Sequence, residues 1–366
     1  MERLSFVLVP YLPTSKSFTF SNYQFVPLNE LSNYTSDAVL EVAYTIAGQY
    51  LKQINRPIQT ATFVFPIDKQ VGEYLNNGTI GTIAEVLKVL YLDGFCHIRP
   101  LQIATAENFE AFFYNISPND FVISTSAGGI FPIIGYGSDV RDISYIMPPY
   151  VHLISGYFTP SELMAPALEH VVAKQSPSLI RALTFFFEAM RNDDRRTQLT
   201  KTTNLYLAFL MLMKASPDNK ERELWWDNMA AISEPGLSKY PYPIIDTKTG
   251  KPKTYPKNLN IAQIWGEEFY KLRCKMLHGD PLTADDYFFT DISGNKLVSG
   301  SQPHFFLAAN VFPALFFYKV EQEDPTFFES PSFVISDHEN ALSKNFTGLG
   351  SNSENYKLPF YINDPT

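Results

Sequence analysis

The first 155 residues combine the hydrophobic patterns of strands and helices. Four short, mostly apolar segments predict strands, one of them alternating apolar with small polar residues. They cover residues 4–9, 60–65, 95–103 and 121–124. Apolar residues recur at helical spacing over 37–54 and 79–92. These two segments are therefore predicted as amphipathic helices that interleave with the strands.

After about residue 156 the pattern becomes helical. Pro160-Ser161-Glu162 is expected to begin a short helix. Ser176-Pro177 provides an N-cap hydroxyl followed by a proline at the first helical position, so a helix is predicted from there to about residue 191. Further helices are predicted over residues 196–214, 221–232, 260–278 and 302–321.

These patterns divide the chain into three parts and predict an α+β protein. Residues 1–155 are expected to form a mixed α/β domain, and residues 156–322 an all-α helical bundle. Residues 323–366 are polar and rich in Ser and Asn, so they are predicted as a tail with at most one strand. An irregular stretch with five prolines, 233–258, interrupts the helical part.

Composition and charge narrow the class of protein. Hydrophobic residues make up 45% of the chain and charged residues 18%, so the chain can bury sizeable cores and is not globally disordered. The net charge of −9 argues against a molecule that wraps nucleic acid with its whole surface. It leaves room for a local basic patch.

Cysteine content and the apolar runs bear on the compartment. With only Cys96 and Cys274, a disulfide scaffold or a cysteine-based zinc site is not expected. No apolar run reaches the roughly 18–20 residues that span a bilayer. The N-terminal apolar stretch is closed by Pro10 and is typical of a strand rather than a signal peptide. We therefore expect a cytoplasmic protein without a membrane partner.

The end of the helix predicted over 260–278 contains the most informative chemistry. Gly279 follows it as the favoured left-handed residue, and Asp280-Pro281 prevents the helix from continuing. His278 is thereby placed in the last turn, where unpaired carbonyls carry partial negative charge and favour the imidazolium. Arg273 lies five residues earlier, about 140° around the helix, so the two residues do not share one narrow face.

Arg273 and His278 are a suitable pair for phosphodiester chemistry without metal. A guanidinium stabilises charge on a pentacoordinate phosphorus. An imidazole can move a proton to or from the ribose 2′-hydroxyl or the leaving 5′-oxygen. Basic residues in a final helical turn also commonly just offset the helix dipole, so the spacing alone leaves both interpretations open.

The motif around this pair is similar to that of a known family. It reads Phe269-Tyr270-Lys271-Leu272-Arg273-Cys274-Lys275-Met276-Leu277-His278-Gly279. It resembles the Leu-Tyr-x-x-Arg-x-x-x-x-His-Gly signature of HEPN domains, particularly those of the Apea-like proteins of bacterial defence systems. The predicted helices at 180–190, 204–213 and 305–318 resemble the family's other helices. The resemblance covers about residues 156–322, although its specific part is the motif itself.

The resemblance implies a metal-independent endoribonuclease of anti-phage or stress defence, with no cofactor. Arg273 and His278 of each protomer would be catalytic residues in one cleft of a homodimer. The products would carry 2′,3′-cyclic phosphate and 5′-hydroxyl ends. Tyr270 and Lys275 of the motif are expected to contact the RNA substrate. The N-terminal domain would sense a trigger ligand or protein, or position the RNA.

The chain departs from the family at Cys274, where active members usually carry Asn, Asp or His. A thiol is a weak hydrogen-bond partner, so it is a poor substitute for an amide that orients the arginine or the substrate. A non-catalytic HEPN module for dimerisation, RNA binding or another interaction therefore stays open as the alternative function.

A second candidate RNA contact lies in the proline-rich stretch. Residues 237–257 contain five lysines and three tyrosines against one acid, Asp246. Lysines that meet phosphates and rings that stack on bases are typical of contacts with single-stranded RNA. Lys251, Lys253 and Tyr255 are therefore candidate substrate-binding residues. The alternative is a solvated loop with a hairpin turn at Thr249-Gly250.

Two other features of the sequence predict no cofactor or metal. The acid pairs Asp193-Asp194 and Asp285-Asp286 have no histidine at ligand spacing, so they are expected to cap helices or lie in loops. Residues 128–137 are glycine-rich but lack the third glycine and the following helix of a dinucleotide-binding loop. They are predicted as turns.

Overall fold

The computed structural model describes most of the chain and divides it into two units. The described residues are 4–53, 61–97, 106–116, 121–125, 133–134, 157–162, 164–191, 198–214, 221–232, 261–291 and 300–324. Unit 1 comprises Met1–Gln175 and Met190–Arg195, and unit 2 comprises Ser176–Ala189 and Arg196–Thr366. Strands and helices are both present, so the α+β fold class is confirmed.

Within the described residues, the strands of unit 1 form a single antiparallel sheet. Its strands are β1 (Leu4–Val9), β2 (Phe18–Phe20), β3 (Tyr23–Pro27), β4 (Thr62–Pro66), β5 (Phe112–Ile116), β6 (Phe121–Thr125) and β7 (Ile133–Ile134). Their order in the sheet is β2-β3-β4-β1-β5-β6-β7. The central strand β1 places Leu8 opposite Phe63 of β4 and Phe6 opposite Tyr114 of β5. All five residues of β4 are buried, although the strand begins with the polar Thr62.

Three helices accompany this sheet in unit 1. They are α1 (Asp37–Gln53), α2 (Asn77–His97) and α3 (Ala165–Lys174). Ala43 and Ile46 of α1 pack into the same buried cluster as Phe6, Leu8 and Phe63 of the sheet. The side chain of Asn76 accepts the backbone N–H of Thr79 at 2.9 Å and so caps the start of α2.

The prediction of a strand over 95–103 is wrong for its first three residues. Residues 95–97 are the last residues of α2, and residues 98–103 lie outside the described part of the chain. Phe95 continues the buried helical stripe, because its ring packs 6.1 Å from that of Tyr91, one helical turn earlier. The neighbouring Cys96 is also fully buried. Phe95 and Cys96 therefore follow the helical period of α2 and not that of a strand.

Unit 1 extends to Gln175 and not only to the predicted boundary at residue 155. Hydrogen bonds among the described residues join its last segment to the rest of the unit. The backbone N–H of Phe158 donates to the carbonyl of Pro13 at 2.7 Å, and that of Ser161 donates to Asp93 at 3.0 Å. Glu169 accepts the backbone N–H of Ser21 at 2.6 Å. The helix expected from about residue 160 starts later, at residue 165.

Unit 2 consists mainly of helices. They are α4 (Pro177–Met190, whose last residue belongs to unit 1), α5 (Gln198–Met213), α6 (Glu221–Ala231), α7 (Ile261–His278) and α8 (His304–Glu323). Each begins and ends within two residues of its prediction. The strands β8 (Phe288–Asp291) and β9 (Gly300–Pro303) pair as an antiparallel hairpin, which the all-α prediction missed.

Aromatic rings fill the core of unit 2. The rings of Trp265 and Phe269 on α7 stack 5.3 Å apart, and Trp225 of α6 lies 5.6 Å from Phe269. Phe209 of α5 packs 5.1 Å from Trp225 and 5.7 Å from Phe312 of α8. These contacts join α5, α6, α7 and α8 and hold α7 in place. None of the helices within the described ranges is long and apolar enough to cross a membrane.

Candidate functional site

Helix α7 ends as its sequence predicts. Trp265, Phe269 and Leu272 form the buried stripe, and Gly279 adopts a φ of +74° directly after the helix. The N–H of Asp280 donates to the carbonyl of Lys275 at 3.1 Å, which closes a Schellman-type end. A Cβ at residue 279 would meet no atom of the described residues within 4 Å beyond its chain neighbours, so the backbone angle rather than crowding explains the glycine.

Arg273 is held by side chains from three helices. Together with them it forms what we name the Arg273 cluster: Tyr206, Glu221, Tyr270 and Arg273. Its Nη2 lies 3.4 Å from Oε2 of Glu221 on α6. The hydroxyl of Tyr206 on α5 donates to the other oxygen of Glu221. The guanidinium carbon lies 5.4 Å from the ring centre of Tyr206 and 5.9 Å from that of Tyr270. The arginine is thus fixed by a carboxylate and two aromatic rings.

The guanidinium is only partly occupied by these contacts. The Arg273 side chain is 22% exposed, and the ion pair uses Nη2. Its Nε is buried and has no hydrogen-bond partner in the described part of the chain. The buried Nε is out of reach of a substrate, but because an arginine carries five N–H donors in a planar fork, the partly exposed guanidinium retains donors on its Nη atoms for a further acceptor.

The surroundings raise the pKa values of Tyr206, Tyr270 and Arg273. Burial raises the pKa of the Tyr206 hydroxyl, and the hydrogen bond to Glu221 raises it further. Burial and a hydrogen bond with Cys274 likewise raise the pKa of Tyr270. Burial lowers the pKa of Arg273, but its neighbours Tyr206 and Glu221 outweigh that effect and the pKa is raised overall. At neutral pH both tyrosines are protonated, so they act as donors and not as bases.

His278 lies apart from the Arg273 cluster. It is exposed in the last turn of α7, beside Leu277, whose side chain is 58% exposed. Within the described residues, no hydrogen bond or ion pair joins His278 to Arg273. The imidazole is therefore accessible to a substrate or to a second protein surface.

Lys275 is paired with a carboxylate of its own chain. Its Nζ donates to Oδ1 of Asp286 at 2.5 Å. Asp286 also accepts the backbone N–H and the hydroxyl of Thr283 at 2.9 and 3.0 Å, which is the capping role expected of it. Burial alone would raise the pKa of Asp286, but the hydrogen bonds from Lys275 and Thr283 lower it to about 2.

Cys274 occupies the position that differs from the family motif. The thiol is partly exposed, and its proximity raises the pKa values of its neighbours Tyr270 and Arg273. Among the described residues, no group of three or more His, Cys, Asp or Glu side chains is arranged to hold a metal ion.

The remaining predicted contacts lie outside the described residues. These are Lys251, Lys253 and Tyr255, with the whole segment 237–257. Conversely, Tyr206 and Glu221 belong to the Arg273 cluster and were not predicted. The only sequence signal for Glu221 is its position in the first turn of α6, where an acid is commonly explained by the helix dipole.

Comparisons with known proteins identify no relative of this chain. No protein-family model matches the chain, and neither a curated protein nor a solved structure matches it significantly. The likeness to HEPN domains therefore depends on the motif at 269–279 and on the pattern of helices around it.

Proposed function

We propose that this chain is a metal-independent endoribonuclease of HEPN type that acts as a homodimer in anti-phage or stress defence. The helical unit would correspond to the HEPN bundle, and unit 1 would sense a trigger or position the RNA. The observation that carries the proposal is the state of Arg273. It is a charged guanidinium fixed by three helices, it keeps unused donors, and it lies on the helix whose last turn exposes His278.

The proposed reaction needs one arginine and two proton transfers. One His278 accepts the proton of a ribose 2′-hydroxyl, and the 2′-oxygen forms a bond to phosphorus. The bond from phosphorus to the 5′-oxygen breaks, and His278 of the second protomer gives a proton to that oxygen. Arg273 stabilises the negative charge on the pentacoordinate phosphorus. The products are a 2′,3′-cyclic phosphate and a 5′-hydroxyl.

Further side chains would bind the RNA on either side of the reacting phosphate. Tyr270 offers a ring and a hydroxyl beside Arg273, and Lys275 offers a cation on the same helix. Lys251, Lys253 and Tyr255 would contact the flanking nucleotides through phosphate pairing and base stacking.

A non-catalytic module that dimerises or binds RNA is the second candidate function. Two observations favour it. Glu221 and Asp286 neutralise Arg273 and Lys275 within the chain. In addition, Cys274 supplies a thiol where active family members usually have a stronger hydrogen-bonding side chain.

Cleavage of labelled single-stranded RNA in EDTA tests the proposal. We expect the wild-type chain to cut the RNA, and Arg273→Ala and His278→Ala each to reduce the rate by about 10²–10⁴-fold. Lys271→Ala is the matched control, because Lys271 lies on the same helix with a 53% exposed side chain and pairs with Glu267 and Glu268. Mass spectrometry of the product ends checks for the cyclic phosphate.

The outcomes separate the two candidate functions. Cleavage that persists in both variants, or that stops in EDTA, contradicts the proposed enzyme. Intact RNA that nevertheless binds the wild-type chain supports the non-catalytic module.

A further inference from the structure

Two cations of the proposed RNA surface are already paired with carboxylates of the same chain. Glu221 lies 3.4 Å from Arg273, and Asp286 lies 2.5 Å from Lys275. Carboxylate and phosphate oxygens accept the same hydrogen bonds from guanidinium and ammonium groups. Each carboxylate therefore occupies its cation in the way that an RNA phosphate would.

Both carboxylates are positioned by a second contact that does not involve the cation. Glu221 accepts the hydroxyl of Tyr206 from α5. Asp286 accepts the backbone N–H and hydroxyl of Thr283. These contacts fix the carboxylates beside the cations, so the pairing is built into the fold of unit 2.

The pairs differ in how easily RNA could replace the carboxylate. The side chains of Arg273 and Glu221 are 22% and 19% exposed, and their ion pair is long and single. Partly exposed pairs of this kind contribute little to stability, so a phosphate can displace the carboxylate. The pair of Lys275 and Asp286 is shorter, and its carboxylate is only 12% exposed.

We propose that unit 2 adopts an autoinhibited state, in which Glu221 and Asp286 occupy Arg273 and Lys275 in place of RNA phosphates. This inference rests on the proposed function, because it names the regulation of the same site. The two cations and the two carboxylates sum to no net charge, so the resting surface attracts RNA weakly. RNA binds productively when its phosphate displaces Glu221 from Arg273.

Binding of a non-cleavable RNA separates this regulation from catalysis. The probe is a fluorescein-labelled 2′-O-methyl oligouridine, which lacks the attacking hydroxyl, and anisotropy gives its Kd in EDTA at low salt. We expect Glu221→Gln to bind about three- to tenfold tighter than the wild-type chain, because the amide keeps the shape and loses the charge. Asp286→Asn should also bind more tightly.

Matched variants assign the effect to the pair. Asp227→Asn removes an exposed acid from the same helix α6 and should leave Kd unchanged. Combining Glu221→Gln with Arg273→Ala should abolish the gain. Tyr206→Phe is a second variant that frees Glu221 without changing charge, and a smaller gain is expected. Thermal unfolding of each variant shows whether it folds.

The results distinguish failure of this inference from failure of the proposed function. If folded Glu221→Gln binds RNA no more tightly, the inference is wrong. If it also loses cleavage of ordinary RNA, Glu221 is a positioning residue for Arg273 and the endoribonuclease stands. If it binds more tightly only when Arg273 is present, yet neither it nor the wild-type chain cleaves RNA, autoinhibition of binding stands and the enzyme is contradicted.

Discussion

At the scale of single residues, the end of α7 depends on one backbone angle. Gly279 has a φ of +74°, where a side chain raises the energy of the backbone. Among the described residues beyond its chain neighbours, no atom lies within 4 Å of a Cβ placed there, so the backbone angle is the whole of the cost. We expect Gly279→Ala to lower the free energy of unfolding of unit 2 by about 1 kcal/mol.

Urea unfolding followed by tryptophan fluorescence measures this loss. The chain has three tryptophans, Trp225, Trp226 and Trp265, and all belong to unit 2. Gly279→Asn is the matched variant, because asparagine adopts the left-handed conformation more easily, and its loss should be smaller. An alanine variant as stable as the wild-type chain would contradict this account of the helix end.

At the scale of elements, two ion pairs of opposite polarity join α6 to α7. Glu221 and Arg222 are neighbours on α6, and they pair with Arg273 and Glu267 of α7. Arg222 binds Glu267 with both Nε and Nη2, at 2.6 and 2.5 Å. The acid lies on α6 in one pair and on α7 in the other, so the two pairs together fix the rotation of α7 about its axis. They therefore also set the direction in which Arg273 points.

The pair of Arg222 and Glu267 should respond asymmetrically to mutation. The carboxylate is 1% exposed, whereas the arginine is 49% exposed. Among the described residues, Arg222→Ala leaves the buried carboxylate with Lys271 as its remaining ion-pair partner and should cost about 1–3 kcal/mol. Glu267→Gln should cost less, because the amide is neutral and Arg222 can be hydrated.

Urea unfolding with the same fluorescence signal compares these variants. Arg181→Ala, which removes an exposed arginine of α4, is the control and should change stability by no more than about 0.5 kcal/mol. A larger loss in Glu267→Gln than in Arg222→Ala would show that the buried charge is not the source of the cost.

The elements that sequence predicted correctly are those whose signal is local. Helical periodicity, the Ser176-Pro177 start and Gly279 each depend on a few neighbouring residues, and the helices of unit 2 were accordingly found. The strands β2, β3, β5 and β7 were missed, since runs of two to five residues give only a weak periodic signal, although β4 and β6 are equally short and were found. The Arg273 cluster was missed for another reason. Its members lie on three helices, and only their packing brings Tyr206 and Glu221 to the arginine.

At the scale of the whole molecule, the charge of −9 makes any affinity for RNA a local property. The proposed contacts supply four cations, Arg273, Lys275, Lys251 and Lys253. For single strands, log K falls with log salt by about 0.7 for each phosphate that is neutralised. We therefore expect a slope of about −2.8 per chain for the 2′-O-methyl oligouridine, measured by anisotropy over a series of salt concentrations.

Two double variants show how much of this salt dependence comes from helix α7 and how much from the proline-rich stretch. Lys251→Ala combined with Lys253→Ala should make the slope shallower, at about −1.4, because two phosphate contacts are lost. Lys16→Ala combined with Lys69→Ala removes the same charge from unit 1 and should leave the slope unchanged. Both variants make the net charge equally more negative, so a general effect of charge would lower the affinity of both alike. A slope that is unaffected by the first pair would mean that RNA meets the chain at the α7 end alone, and that the stretch at 237–257 is a solvated loop.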